Sequence, residues 1–258
     1  MILAGNFLEV MKYGKEICYG SLPQKRPVRY YGKSKDGVRK KESLFRAKSR
    51  LKRLINSNAW HWFKENGKPF IPIFVTLTFK DNLTDIREAN YEYKKFIQRI
   101  NCSLGYKANR LKYVIVVQFQ KRGAIHYHLV FFNLPYVKNL KDELLKIWKN
   151  GFTNFRKIRN VKNVGRYMTR YMAKDVNDKR LYGQKCFFGS NFLKQPVVKN
   201  NKDLIDSVFI LSLLPESLKV FEKDFESDYC GSINYREYDL TKRQKLRETI
   251  SALFAMVK

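Results

Sequence analysis

His126 and His128 are separated by one residue within an alternating run, and an extended chain with that alternation puts both imidazoles on one face of a strand. In the preceding strand Tyr113, Ile115, Val117 and Phe119 share one side, while Val114, Val116, Gln118 and Gln120 share the other. On the return, Ile125, Tyr127, Leu129 and Phe131 fall on the first side, and the histidines fall on the second with Val130 and Phe132. A three-residue loop of Arg122, Gly123 and Ala124, with the glycine supplying a positive φ, would join the strands as a hairpin. That register sets Gln120 across from His126 and Gln118 across from His128. Two imidazoles and a side-chain amide oxygen then converge on one patch, a donor set suited to a divalent cation with positions open to substrate. Register alone admits either Gln118 or Gln120 as the oxygen donor.

A second chemical element runs from Val164 to Asp175. On a helix Tyr167 and Tyr171 are one turn apart, Met168 and Met172 form a neighbouring apolar stripe, and Arg170 and Lys174 each follow a tyrosine by three positions. An unperturbed phenol titrates at about 10, so its use as a nucleophile near neutral pH needs a cation, a base or a metal-polarised electrophile nearby. Arg170 and Lys174 supply the cations.

These groups need a frame. Residues 71–80 are rich in β-branched residues and alternate: Ile73, Val75, Leu77 and Phe79 make a core side, and Phe74, Thr76, Thr78 and Lys80 face outward. If that outward face joins the histidine face, Thr76, Thr78 and Lys80 line the same floor, and with Lys121 and Arg122 they are candidate polar contacts for whatever binds there. Helical spacing predicts a basic amphipathic helix over 42–62, a helix capped by Thr84 and running to about 104, one over 138–150 that stops at Gly151, and a terminal helix over 242–256. Residues 152–158 read as a strand. His61, between Trp60 and Trp62, reads as a packed or surface histidine. Residues 1–40 show no clear period and end in a basic tract from Gln24 to Lys41 suited to clamping nucleic acid. Gly32, Lys33 and Ser34 resemble the end of a phosphate-binding loop, but Pro27 stands where that loop needs glycine, so an ATPase is set aside. No chemistry is legible in the last third.

Composition narrows the partner. Lys and Arg number 52 against 23 Asp and Glu, a formal net charge of +29 that suits a polyanion, and 19 Phe, 16 Tyr and 3 Trp could stack bases as well. Cys18, Cys102, Cys186 and Cys230 are scattered without a C-x-x-C pair, so they read as reduced thiols of a cytoplasmic protein. Neither a membrane span nor a signal peptide is apparent, and no membrane partner is expected.

Three patterns thus stand in order: a strand from Phe74 to Phe79, the histidine strand with His126 and His128, and a helix with Tyr167, Tyr171 and Lys174. Over residues 70–180 this order resembles the HUH endonucleases, specifically the two-tyrosine rolling-circle replication initiators of small phages and plasmids. The resemblance implies an α+β fold of the RRM or ferredoxin-like kind, with a central five-stranded antiparallel sheet, helices on one face and an open metal-site face. It implies a divalent cation, Mg²⁺ or Mn²⁺, held by His126, His128 and Gln118, the last where relatives often carry glutamate. It also implies Tyr171 and Tyr167 as nucleophiles with Lys174 and Arg170 beside them. The implied activity is nicking and rejoining of single-stranded DNA at an origin through a 5′-phosphotyrosine, in the host cytoplasm, alongside a host helicase and polymerase. An HUH transposase, a plasmid relaxase and a non-catalytic single-stranded nucleic-acid binder are the alternatives. The chain would divide into a basic arm and helix (1–69), the endonuclease core (70–180) and an extension (181–258).

Overall fold

The computed structural model describes residues 1–14, 37–106, 110–120, 122–159, 161–173, 185–199, 204–227 and 231–255. In chain order the elements are β1 (Ile2–Ala4), β2 (Phe7–Tyr13), α1 (Gly37–Asn58), β3 (Ile73–Phe79), α2 (Ile86–Ser103), β4 (Tyr113–Phe119), β5 (Ile125–Phe131), α3 (Leu140–Trp148), β6 (Gly151–Lys157), α4 (Val164–Ala173), β7 (Phe187–Gly189), β8 (Val197–Val198), α5 (Leu204–Ser212), β9 (Lys219–Ser227), β10 (Gly231–Asp239) and α6 (Gln244–Ala255). The fold is α+β. Two units emerge, one from Lys40 to Gln195 and one joining Met1–Arg39 to Pro196–Lys258. Each carries a five-stranded antiparallel sheet among the described residues. These units cut the chain differently from the three segments read in the sequence, because pairing between distant strands, and not local composition, draws their edges. The basic tract falls largely outside the described residues.

In the Lys40–Gln195 unit the sheet order is β6-β3-β5-β4-β7. Odd-numbered side chains, among them Val75, Leu77, Ile115, Val117, Tyr127 and Leu129, form one core with Phe96 and Ile100 of α2 and Leu144 and Trp148 of α3. Trp148 Nε1 donates to the Thr78 carbonyl at 3.0 Å, tying α3 to β3. Burial pushes the Tyr93 phenol up to about 12 and the Tyr127 phenol higher still, and Tyr127 Oη donates to Asn90 at 2.9 Å. The N-cap of α2 is Asp85, one residue beyond the Thr84 expected. Its carboxylate accepts from the backbone N–H of Arg87 at 2.6 Å and Glu88 at 3.1 Å, and those bonds hold its pKa below the ordinary value.

Even-numbered side chains behave differently along the sheet. Phe74, Val114, Val116, Val130 and Phe132 are apolar and pack with Leu51, Leu54 and Ile55 of α1 and Val164 and Met168 of α4. Helices therefore lie on both faces of this sheet, where the resemblance implied one open face. Beyond that apolar half the same face turns polar, with Thr76, Thr78, Gln118, His126 and His128.

The second unit has sheet order β8-β1-β2-β10-β9 and a core of Leu3, Leu8, Val10, Ile210, Tyr238, Leu240, Ile250 and Phe254. Phe7, Leu8, Glu9 and Val10 are all buried, so this strand shows no alternation to read. No helix among the described residues is long and apolar enough to cross a membrane.

Candidate metal and nucleophile site

The hairpin register decides which ligands meet. Gln118 pairs with His126 and Val116 with His128, two residues from the register expected in the sequence. Gln120 N–H donates to the Ala124 carbonyl and Gly123 N–H to the Gln120 carbonyl, both at 2.8 Å, so the turn closes on Gln120 and Ala124, one residue earlier than expected. The cause is Gly123, whose φ of 92° belongs at the last position of a bulged three-residue loop, not at its middle. One step of the loop moves each pairing by two, so every side chain keeps its face and only the partner changes.

With that register Gln118 lies between the histidines. Its Oε1 accepts from His126 Nε2 at 2.8 Å and from His128 Nε2 at 2.6 Å. Gln118 and His128 are buried and His126 is half-buried. Gln120 meets the far side of His126, with Nε2 at 3.5 Å from Nδ1, while its Oε1 accepts from Arg122 Nε at 2.9 Å. Gln118 is thus the amide at the convergence point and Gln120 is not. Thr76 Oγ1 sits 3.2 Å from His128 Nδ1, and Phe74 stacks on the His128 ring at 5.5 Å and 13°, so the plane of His128 is held from β3. The Thr76 hydroxyl thus meets His128, a contact that the sequence did not disclose.

The donor set fits a divalent cation. Ligands at about 2.1 Å in an octahedron stand about 3 Å apart, close to the separations from Gln118 Oε1 to the two imidazole nitrogens. Loading requires each Nε2 to present its lone pair, so each Nδ1 must carry the proton. The Thr76 hydroxyl can accept from His128 Nδ1–H, and a flip of the Gln120 amide offers an oxygen to His126 Nδ1–H. Among the described residues no group of three His, Cys, Asp or Glu side chains could hold a metal ion.

The tyrosine helix is clamped beside this patch. Asn163 caps α4, its Oδ1 accepting from Arg166 N–H at 2.8 Å and from Asn56 Nδ2 of α1 at 3.1 Å. Asn56 Oδ1 in turn accepts from Gly165 N–H at 2.8 Å. A Cβ on Gly165 would stand 2.3 Å from the Lys52 carbonyl oxygen and 2.8 Å from Asn56 Oδ1, so α4 approaches α1 this closely only with glycine there. Met168 is fully buried, as its stripe predicted. Tyr167 is half-buried and meets Phe74 edge-on at 5.7 Å and 78°. Phe74 therefore lies against both Tyr167 and His128. Tyr171 lies on α4, but its side chain falls outside the described residues, as do Lys174 and Lys121. Arg170 is exposed, as are Lys80 and Arg122, and Arg122 also donates to the Phe79 carbonyl at 3.1 Å.

Beside the histidines the face continues onto β6. Thr78 pairs with both His126 and Phe152, and Thr76 with both His128 and Asn154. A cleft of about 560 Å³ opens here, lined by Thr76 and Thr78, by β6 from Phe152 to Phe155, and by Lys141. Phe152 is 70% exposed. The sequence held one sign of it, an aromatic residue at an even, outward position of β6.

Known proteins can be set against this geometry. Residues 72–176 match the family model of the ORF2-type replication-associated proteins. That segment begins just before β3 and takes in Gln118, both histidines and both tyrosines. The phasyl DNA replicon protein arp of Escherichia coli is 26% identical over 163 residues, covering 52% of this chain and 55% of that protein, so the chain spans about half the length of this relative. No solved structure matches. The likenesses support a replication-associated protein and fall on the segment that carries the candidate site.

Proposed function

We propose that this chain is a replication initiator that nicks and rejoins single-stranded DNA at an origin, with Tyr167 and Tyr171 as nucleophiles and His126, His128 and Gln118 as ligands of a divalent cation. The observation that carries the proposal is the convergence of both Nε2 atoms on Gln118 Oε1, on the face that Tyr167 borders through Phe74. A bound cation would neutralise and polarise the scissile phosphate. Two imidazoles and an amide suit Mn²⁺ better than Mg²⁺, which favours oxygen donors throughout.

A tyrosine Oη attacks phosphorus in line and displaces the 3′-oxygen of the preceding nucleotide. The tyrosine becomes a 5′-phosphotyrosine, and the phenolic proton ends on the released 3′-hydroxyl. That hydroxyl can prime synthesis by a host polymerase behind a helicase. The phosphotyrosine keeps the bond energy, so a 3′-hydroxyl can attack it and reseal the strand. Two tyrosines on one helix allow a second cleavage before the first end is released. Arg170 and Lys174 stand near the nucleophiles in sequence, and Thr78, Lys80, Lys121 and Arg122 are DNA contacts in this reading.

A second reading has its own support. Gln118 already satisfies both histidines by hydrogen bonding, an arrangement that a non-catalytic single-strand binder could keep. The experiment is incubation with 5′-labelled and 3′-labelled single-stranded oligonucleotides covering the cognate replicon, with and without Mn²⁺, followed by a denaturing gel. A metal-dependent protein adduct on the 5′ end of the 3′-side fragment is expected. Tight binding without cleavage on every oligonucleotide would overturn the nuclease in favour of the binder.

A further inference from the structure

We infer that the cleft on β6 is a subsite for one unpaired nucleobase, stacked on Phe152 and read along its edge by Asn154, next to the strand segment held at the histidines. The inference rests on the reading of this face as the one that meets single-stranded DNA, and not on catalysis.

Position comes first. Gln118, His126, Thr78 and Phe152 occupy one transverse row across four strands, and Val116, His128, Thr76 and Asn154 the next. With strands about 4.8 Å apart, Phe152 stands about 10 Å from His126, so a base there belongs to a near neighbour of the phosphate at the histidines. The two phenylalanines of β6 have opposite fates. Phe155 packs against the core, whereas Phe152 is 70% exposed on the row that carries the polar residues. An aromatic ring left in water at the floor of a cleft, flanked by an amide and two hydroxyls, has the composition of a small-ligand site, and 560 Å³ lies within the usual range for one.

The chemistry then selects the occupant. A flat π-face next to amide and hydroxyl groups suits a planar heterocycle with donors and acceptors on its edge. Exposed Lys141 at the cleft adds a cation for an adjoining phosphate. The formal net charge of +29 favours a polyanion as the bearer of that heterocycle. Only an unpaired base can offer its face to the ring, because the bases of a duplex are stacked on one another.

The test uses the full chain, with a thymidine 20-mer as probe, the same 20-mer made abasic throughout, and one bearing a single 5-iododeoxyuridine for photo-cross-linking. Affinity is read by fluorescence anisotropy at one fixed salt concentration. Phe152→Ala should weaken binding of the base-bearing 20-mer about fivefold to a hundredfold and leave binding of the abasic strand unchanged. Phe152→Tyr should restore the affinity, Phe152→Leu should not, and the cross-link should map to the peptide bearing Phe152. Thermal melting close to wild type is expected for each variant, because the side chain is exposed. Affinity and cross-link are read in EDTA, so a wild-type chain that stacks the base but never nicks when Mn²⁺ is added would sink the nuclease reading alone. Equal effects of Phe152→Ala on both strands, or a cross-link that maps elsewhere, would overturn the subsite. A wild-type chain that binds neither strand would overturn this inference together with the proposed function.

Discussion

Two polar clusters in this chain each sit on a pair of antiparallel strands, and they are built on opposite principles. On β9 and β10 the Glu222 carboxylate takes Lys219 Nζ at 2.6 Å, Asn234 Nδ2 at 2.9 Å and Arg236 Nε at 2.6 Å. Opposite charges meet there and satisfy one another on an exposed surface, and those bonds hold the Glu222 pKa down at about 2. On β4 and β5 the groups are two imidazoles and an amide, largely buried and directed at one point. A set of paired charges asks for no ligand. A set of neutral donors gathered around one point has no such compensation of charge, and in the proposed function it is this set that would take a cation.

That contrast can be broken most sharply at the histidines. His126→Ala should lower Mn²⁺-dependent nicking about a hundredfold or more while single-strand affinity at the same salt stays near wild type; unchanged nicking would make the cluster structural. Next in size is the orienting hydroxyl. Thr76→Val should weaken Mn²⁺ binding about tenfold to a hundredfold by calorimetry, and Gln118→Glu should strengthen it by adding an anionic oxygen. Gly165→Ala should destabilise the fold by about 1–3 kcal/mol in urea melts and lower adduct formation with it, since the new Cβ meets the Lys52 carbonyl and the helix bearing Tyr167 must shift.

The smallest effect belongs to the paired cluster. The folded pKa of Glu222 lies below its ordinary value of 4.5, so its contribution is complete above that value and is lost as pH falls through about 2. Because the group is exposed, Glu222→Gln should lower the melting temperature only slightly at pH 6, and the difference from wild type should vanish near pH 2. A larger loss at pH 6 than that caused by Gly165→Ala would show that this cluster supports its unit far more than exposed pairs do.

Legibility followed the range of the interaction involved. Alternation in β3 was plain in the sequence because Thr76 and Thr78 mark one face while Ile73, Val75, Leu77 and Phe79 are buried on the other, and Met168 announced the buried side of α4 in the same way. In β2, where Phe7, Leu8, Glu9 and Val10 are all buried, the pattern vanished although the strand did not. Asp85 displaced Thr84 as a cap because a carboxylate accepts two backbone N–H groups at a helix start more strongly than a hydroxyl does. Phe152 was passed over because an exposed aromatic residue on an edge strand carries the same letters as a buried one.

The sequence by itself determined the faces: which side chains of each strand travel together, which stripe of each helix is apolar, and that one face of the hairpin carries two imidazoles and two glutamines. Those follow from local periods of two and 3.6, which no distant residue alters. The tertiary structure decided the partners. It chose Gln118 over Gln120 through the position of Gly123 in the loop, covered half of the histidine face with α1 and α4, and joined the two ends of the chain in one sheet. Each of those choices depends on which segments far apart in sequence come to lie side by side, and packing between them settles it at the cost of chain entropy that no local pattern records.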